Sequence, residues 1–159
     1  MQELVGRSRT ERIFELARHV IEGKSSAAVS VIADLLDAGD SGVRIVGYLG
    51  REIRWLVQIK LFLRGRPKMW DRGTTFPEFQ REILPAVKAW TEACHIPEGE
   101  TFLRQKPYAA YMKFKEAEGC DLDRLLGLLD RLVETNRFLV SKSVEHKDRL
   151  ALEALVIAA

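Results

Sequence analysis

The stretch that decides the fold is residues 120–159, CDLDRLLGLLDRLVETNRFLVSKSVEHKDRLALEALVIAA. Its second residue, Asp121, can accept the free backbone N–H groups of a first helical turn, so a helix is predicted to begin after it. Charged residues take one face of this helix. The other face repeats at alternating spacings of three and four: Leu122, Leu125, Leu129, Leu132, Asn136 and Leu139. That pattern predicts one long amphipathic helix.

A second helix is predicted after a polar break from Lys142 to Lys147. One side of it carries Leu150, Ala154, Leu155 and Ala158, and beside them lie Leu152, Val156 and Ala159. The helix is therefore apolar over much of its circumference. Such a helix needs neighbours on several sides.

Bulk composition predicts one soluble, cytoplasmic domain that spans residues 1–159. The 159 residues are 47% hydrophobic, which suffices for one substantial core. The formal net charge of +2 does not mark the whole molecule as a binder of nucleic acid or membranes. No apolar run approaches the ~20 residues of a membrane span. The N-terminal residues lack the apolar core of a signal peptide.

The rest of the chain is also predicted to be helical. Capping-box pairs, Ser8 with Glu11 and Thr75 with Glu78, predict two helix starts. The first helix is predicted to end at Gly23 and to form a hairpin with a second one, which closes near Gly39. No alternating strand pattern of useful length is present.

Two other segments carry helix-breaking residues. The segment from Arg64 to Thr75 contains two glycines, one proline and several basic residues, which predicts an exposed, flexible connection. Pro85 is predicted to kink or split the helix that follows this connection. Pro107 suits the first turn of a further helix, which is predicted to end at Gly119.

The third helix, predicted over Ser41 to Leu63, has an aromatic stripe at a spacing of seven: Tyr48, Trp55 and Phe62. Such a stripe either packs inside the domain or meets a partner protein, and the core interpretation is favoured because aromatic residues at helical spacing are more often packing. Basic residues of the same helix and of the following loop, chiefly Arg51, Arg54, Lys60 and Arg64, either contact a phosphate backbone or solubilise exposed faces. The near-zero net charge favours the second interpretation.

No catalytic residue, cofactor site or metal site is predicted. Gly23-Lys24-Ser25 copies the end of a phosphate-binding loop, but the required glycine five positions earlier is Arg18. The three histidines are far apart in sequence, and Cys94 and Cys120 have no metal-ligand spacing. Both thiols are predicted to be structural.

Four strings, in this order and spacing, resemble the C-terminal helical domain of the bacterial DNA polymerase III delta subunit, a clamp-loader subunit. The strings are IFELARHVIEGKSSAAVSVIADLLDAG, VGYLGREIRWLVQIKLFL, KPYAAYMKFKEAE and DLDRLLGLLDRLVETNRFLVSKSVEHKDRLALEALV. The resemblance runs from about Thr10 to Val156. The segment from Arg64 to Thr101 fits the family less well, being longer and richer in Trp, Pro and Gly.

This resemblance implies an all-α bundle of six to seven helices that serves as a collar domain in DNA replication. In the family, the domain packs beside the collar domains of the tau/gamma and delta-prime subunits, and N-terminal ATPase-like modules, absent here, contact the sliding clamp. Family members also contact template DNA with aromatic collar side chains. Near Pro97 and Val144 this sequence has none, so no residue is assigned to that role.

The resemblance therefore predicts a non-catalytic domain that holds the clamp-loader pentamer together. The subunit interface is expected at five residues: Tyr48, Trp55, Phe62, Leu152 and Val156. The apolar surface of the last helix near Ile157 is also expected to be covered by a different chain. Two alternatives stay open. The first is a helical DNA-binding module that uses the basic surface from Arg51 to Arg72. The second, a small enzyme, ranks last because no nucleophile, base or metal set can be assembled.

Overall fold

The computed structural model describes residues 8–141 and 147–158, and throughout these ranges the only regular elements are helices. The elements are α1 (Arg9–Glu22), α2 (Ser25–Asp37), α3 (Gly42–Arg64), α4 (Phe76–Glu78), α5 (Leu84–Ala93), α6 (Pro107–Glu118), α7 (Leu122–Ser141) and α8 (Lys147–Ala158). The predicted all-α fold is confirmed. The predictions for residues 142–146, which form most of the polar break, and for Ala159 concern positions outside the described residues.

Local capping fixes where several helices begin and end. Ser8 and Glu11 form a reciprocal capping box at α1, and Thr75 and Glu78 form another at α4. The backbone hydrogen bond from Thr75 also lowers the pKa of Glu78. The α1 helix ends at Gly23, whose φ of 71° places it in the left-handed region that suits glycine. These starts and this stop agree with the sequence patterns.

The proline at position 85 changes the winding of its helix without ending it. Between α4 and α5 the chain forms a π-helical turn, Phe79–Ile83, and the N–H of Leu84 donates to the carbonyl oxygen of Phe79. Proline has no N–H, and its ring would clash with the carbonyl one turn earlier in an α-helix. The wider π turn accommodates the proline, so the predicted irregularity takes this form.

The chain divides into two compact units. The first contains residues 8–53 and 127–158 as far as they are described, and the second is Arg54–Leu126. In the first unit α1 packs on α2, and α2 packs on α8. Its fully buried side chains include Leu16, Ala28, Leu35, Ile45, Leu49 and Leu152.

The second unit is built around aromatic rings. Phe114 on α6 lies with its ring centroid 5.0 Å from that of Trp70, 5.1 Å from Phe79 and 5.8 Å from Phe102. The Trp70 indole also donates to Glu118 Oε1 at 2.8 Å. Trp70 belongs to the predicted connection after α3. That segment is irregular, as expected, and the indole of Trp70 packs among the aromatic rings of the second unit.

Two hydrogen bonds join α8 to the start of α2 and the start of α3 within the first unit. Near its start, Asp148 Oδ2 accepts from the backbone N–H of Gly42, the first residue of α3, at 2.7 Å. Near its end, the Ser25 hydroxyl donates to the Val156 carbonyl oxygen at 3.0 Å. The Asp148 carboxylate lies in the first turn of α8 and also caps the start of α3.

We expect Asp148→Ala to lower the free energy of unfolding by about 1–2 kcal/mol, since it removes a part-buried acceptor and a helix-capping charge. Urea denaturation followed by far-UV circular dichroism measures this. Asp148→Asn keeps an acceptor and serves as the matched control, with a smaller loss.

Gly42→Ala tests the same contact from the other side. A Cβ at Gly42 would lie 2.9 Å from Asp148 Cγ, which displaces the carboxylate and breaks the bond. We expect Gly42→Ala to cost less in the Asp148→Ala background, where only the Cβ of residue 148, 3.0 Å from the added Cβ, still crowds it. Equal costs in both backgrounds would show that the contact is not the cause.

Candidate protein–protein interface

The two faces of α8 have opposite environments. Leu152, Leu155 and Val156 are buried on the inner face, and Val156 is only 1% exposed. On the outer face, Leu150 is 58% and Ile157 is 68% exposed. Ala154 and Ala158 are exposed with them. At spacings of four, seven and eight from Leu150, these residues form an apolar stripe along the helix.

A groove of about 470 Å³ lies between this outer face and α7. Phe138 of α7, half-exposed at 49%, lines the groove opposite Leu150 and Ala154. Arg131 and Glu134 bring charges to the lining. Because a contiguous apolar surface rimmed by polar residues marks many protein interaction sites, this groove is the candidate interface.

The structure assigns most of the predicted interface residues to the core. Trp55, Phe62, Leu152 and Val156 are buried, so a partner cannot contact these side chains in this conformation. This corrects the expectation that they face other subunits, and it agrees with the core interpretation of the aromatic stripe. Only Tyr48 keeps a partly exposed side chain.

The missed surface residues are Leu150 and Phe138. Periodicity alone could not find them, because both sides of α8 are apolar and the sequence does not say which one packs. A charged i,i+4 pair, Arg149 with Glu153 at 2.9 Å, lies on α8 as well and gives no clear polar face.

The predicted DNA-proximal basic residues do not share one role. Lys60 Nζ donates to the carbonyl oxygen of Ala117 at 3.2 Å, near the C-terminal end of α6. Arg51 lies over the Tyr48 ring. Arg54 and Arg64 are exposed to solvent. Lys60 thus has a partner within the chain, and the role of these four residues as DNA contacts stays a prediction.

The basic loop after α3 is also partly engaged within the second unit. The Arg66 guanidinium lies 4.7 Å from the Phe62 ring centroid and donates to the Phe62 carbonyl oxygen. Arg72 approaches Glu118 at 3.8 Å. Side chains held in this way contribute less to a continuous phosphate-binding track.

Shifted pKa values among the described residues occur at Glu22, Glu78 and Cys120. Burial raises the pKa of the Cys120 thiol, with the Glu116 charge as a further cause, so its reactive thiolate is disfavoured. Cys94 is exposed. In residues 8–141 and 147–158 no group of three His, Cys, Asp or Glu side chains is arranged to hold a metal ion. Over the same ranges no helix is long and apolar enough to cross a membrane.

Over the residues that the structure describes, the protein belongs to the class of all-helical domains, and it carries an apolar groove on its surface. Within that class, residues 10–67 match the family model described as DNA polymerase III delta subunit, C-terminal domain. The resemblance predicted from the sequence is thereby confirmed. No curated protein matches the sequence significantly.

A solved structure, that of the Bacillus subtilis DNA clamp loader delta protein YqeN, has the same fold. The TM-score is 0.65 at 17% sequence identity, over 98% of this chain. The matched region covers 37% of that structure's chain, so this sequence spans little more than a third of the relative's length. The similarity extends beyond residues 10–67 and includes the α7 and α8 helices that form the groove.

Proposed function

We propose that this chain is the collar domain of a clamp-loader delta subunit, and that it assembles with the collar domains of the tau/gamma and delta-prime subunits. The single observation that carries this proposal is the match of residues 10–67 to the delta C-terminal family. The YqeN-like fold over 98% of the chain supports it. The domain is non-catalytic in this proposal and works in the cytoplasm.

The α7–α8 groove is the proposed assembly surface. Phe138 and Leu150 expose apolar area that a neighbouring helical domain would remove from water, at about 25 cal/mol per Å² buried. The Asp148 and Ser25 hydrogen bonds hold α8 in place before any partner arrives. A preorganised surface reduces the entropy cost of association.

The test mixes the purified chain with tau/gamma and delta-prime collar domains and measures mass in solution by light scattering. We expect a defined complex with the wild-type chain, and an affinity at least about tenfold lower for Leu150→Glu, which places a charge in the apolar groove. Leu61→Glu is the matched control, because Leu61 is an exposed leucine outside the groove. Circular dichroism checks that both variants fold.

A wild-type chain that stays strictly monomeric with every collar domain would contradict the proposal. The alternative of a DNA-binding module has a different signature, because its affinity would fall steeply with salt concentration. An apolar collar interface is expected to depend on salt only weakly.

A further inference from the structure

A second apolar surface lies on α7, on the far side of that helix from the residues that line the α7–α8 groove. Val133 is 51% exposed and Val140 is 65% exposed, and both lie in the part of α7 that belongs to the first unit. Leu129 and Asn136 are half-buried beside them. Successive spacings of four, three and four bring these four residues onto one side of the helix. We call them the α7 seam.

The spacing of the α7 seam indicates that its occupant is a helix. An apolar repeat of about 3.5 residues is the pattern by which two helices pack lengthwise, with the side chains of one seated between those of the other. One edge of the seam is closed to a partner's side chains, because Leu132 and Leu139 are buried in the first unit. Only the other edge can therefore offer charges to a second helix.

The open edge of the seam carries one charge of each sign. Asp130 and Arg137 are exposed and lie seven positions apart along this edge, which corresponds to about two helical turns. Among the described residues, neither side chain forms an ion pair. Two copies of α7 that run antiparallel bring Asp130 of each copy close to Arg137 of the other. The open edge is therefore its own electrostatic complement.

A parallel pair of α7 helices lacks this match. In that arrangement the open edge of one helix faces the closed edge of the other, where the buried leucines lie. The antiparallel arrangement also aligns the seam, because Leu129 then meets Val140 of the second copy and Val133 meets Asn136 of the second copy. The amide of Asn136 among these apolar contacts lowers the affinity and disfavours other registers.

We propose that the α7 seam binds the same seam of a second copy of this chain, antiparallel, and so forms a dimer with two-fold symmetry. This inference goes beyond the proposed function and uses a surface other than the α7–α8 groove. Two heptads of contact bury less than the roughly 1,200 Å² of a standard interface, so a dissociation constant on the order of 10–100 µM is expected. The dimer is therefore weak and reversible.

The first test is sedimentation equilibrium of the purified chain alone, at concentrations up to about 1 mM. We expect the average mass of the wild-type chain to rise with concentration towards twice the monomer mass. Val133→Glu places carboxylates in the seam and is expected to weaken self-association at least about tenfold, whereas Asn136→Leu is expected to strengthen it about tenfold. Val43→Glu is the matched control, because Val43 is an exposed valine of α3 outside the seam. Circular dichroism checks that each variant folds.

A wild-type chain that remains monomeric over this range would overturn the proposal, even if a collar domain binds the same seam. Wild-type self-association of Val133→Glu would overturn it as well, because the dimer would then use another surface.

A charge exchange tests the antiparallel arrangement. Asp130→Arg and Arg137→Asp each set like charges against each other across the dimer, so each variant alone is expected to self-associate at least about tenfold more weakly. An equimolar mixture of the two variants restores both opposite-charge pairs, and we expect it to dimerise about as well as the wild-type chain. Unchanged self-association of the single variants, or a mixture that stays monomeric, would refute this pairing. These measurements use the chain alone, so they decide the inference whether or not a collar complex forms.

Discussion

Phe114→Ala is expected to lower the free energy of unfolding of the second unit by about 3–5 kcal/mol. The Phe114 side chain is fully buried. Its ring lies within 6.2 Å, centroid to centroid, of four others: Phe62, Trp70, Phe79 and Phe102. Truncation therefore leaves a cavity and also removes several edge-on ring contacts, each worth about 0.5–1.5 kcal/mol.

Urea denaturation followed by tryptophan fluorescence measures this loss. All three tryptophans, Trp55, Trp70 and Trp90, lie in the second unit, so the signal reports on that unit. Tyr108→Ala is the control, because Tyr108 is an aromatic residue of the same helix but is 58% exposed. We expect it to cost less than about 1 kcal/mol. Similar losses for the two variants would refute the account of the aromatic core.

Val156→Glu is expected to lower the stability of the fold strongly and Ile157→Glu only slightly, although the two residues are adjacent. Val156 is buried on the inner face of α8, and a carboxylate there has to be desolvated or protonated, which costs several kcal/mol, about 4 or more. Ile157 points outward, so a charge at this position is expected to cost less than about 1 kcal/mol.

Thermal unfolding followed by far-UV circular dichroism measures the stability of both variants. Tryptophan fluorescence is unsuitable here, because the first unit contains no tryptophan. The expected result is a large drop in the midpoint temperature for Val156→Glu and a near wild-type midpoint for Ile157→Glu. Val156 was predicted from sequence as an interface residue, where a charge would impair assembly more than folding. A folded Val156→Glu chain that fails only in assembly would restore that prediction.

The candidate interface was only partly predictable. The sequence correctly marked α8 as a helix with too much apolar surface for one packing contact. It assigned the outward role to Leu152, Val156 and Ile157, whereas the structure buries the first two and exposes Ile157 together with Leu150. A helix that is apolar on two sides has two packing solutions of similar hydrophobic gain, and the choice depends on the shape of α2 against it.

Single-residue roles on α3 show the same limit. From the sequence, Lys60 is expected to be a solvent-exposed cation. In the structure its ammonium donates to the carbonyl oxygen of Ala117 near the end of α6, 57 positions along the chain. Tyr48 meets Arg9 across 39 positions. Sequence spacing carries information about neighbours within a helix, not about contacts made when distant helices pack.

By itself the sequence determined which segments are helical and where several of them start and stop. These features depend on interactions within a few residues: the Ser8 and Thr75 capping boxes, the left-handed Gly23 and the missing N–H of Pro85. Only the tertiary structure decided which face of α8 is buried, how Trp70 enters the aromatic core and that Arg9 and Arg51 share one tyrosine ring. The reason is physical, since local hydrogen bonds and dihedral preferences are encoded in neighbouring residues, whereas burial is settled by which surfaces fit together at close packing.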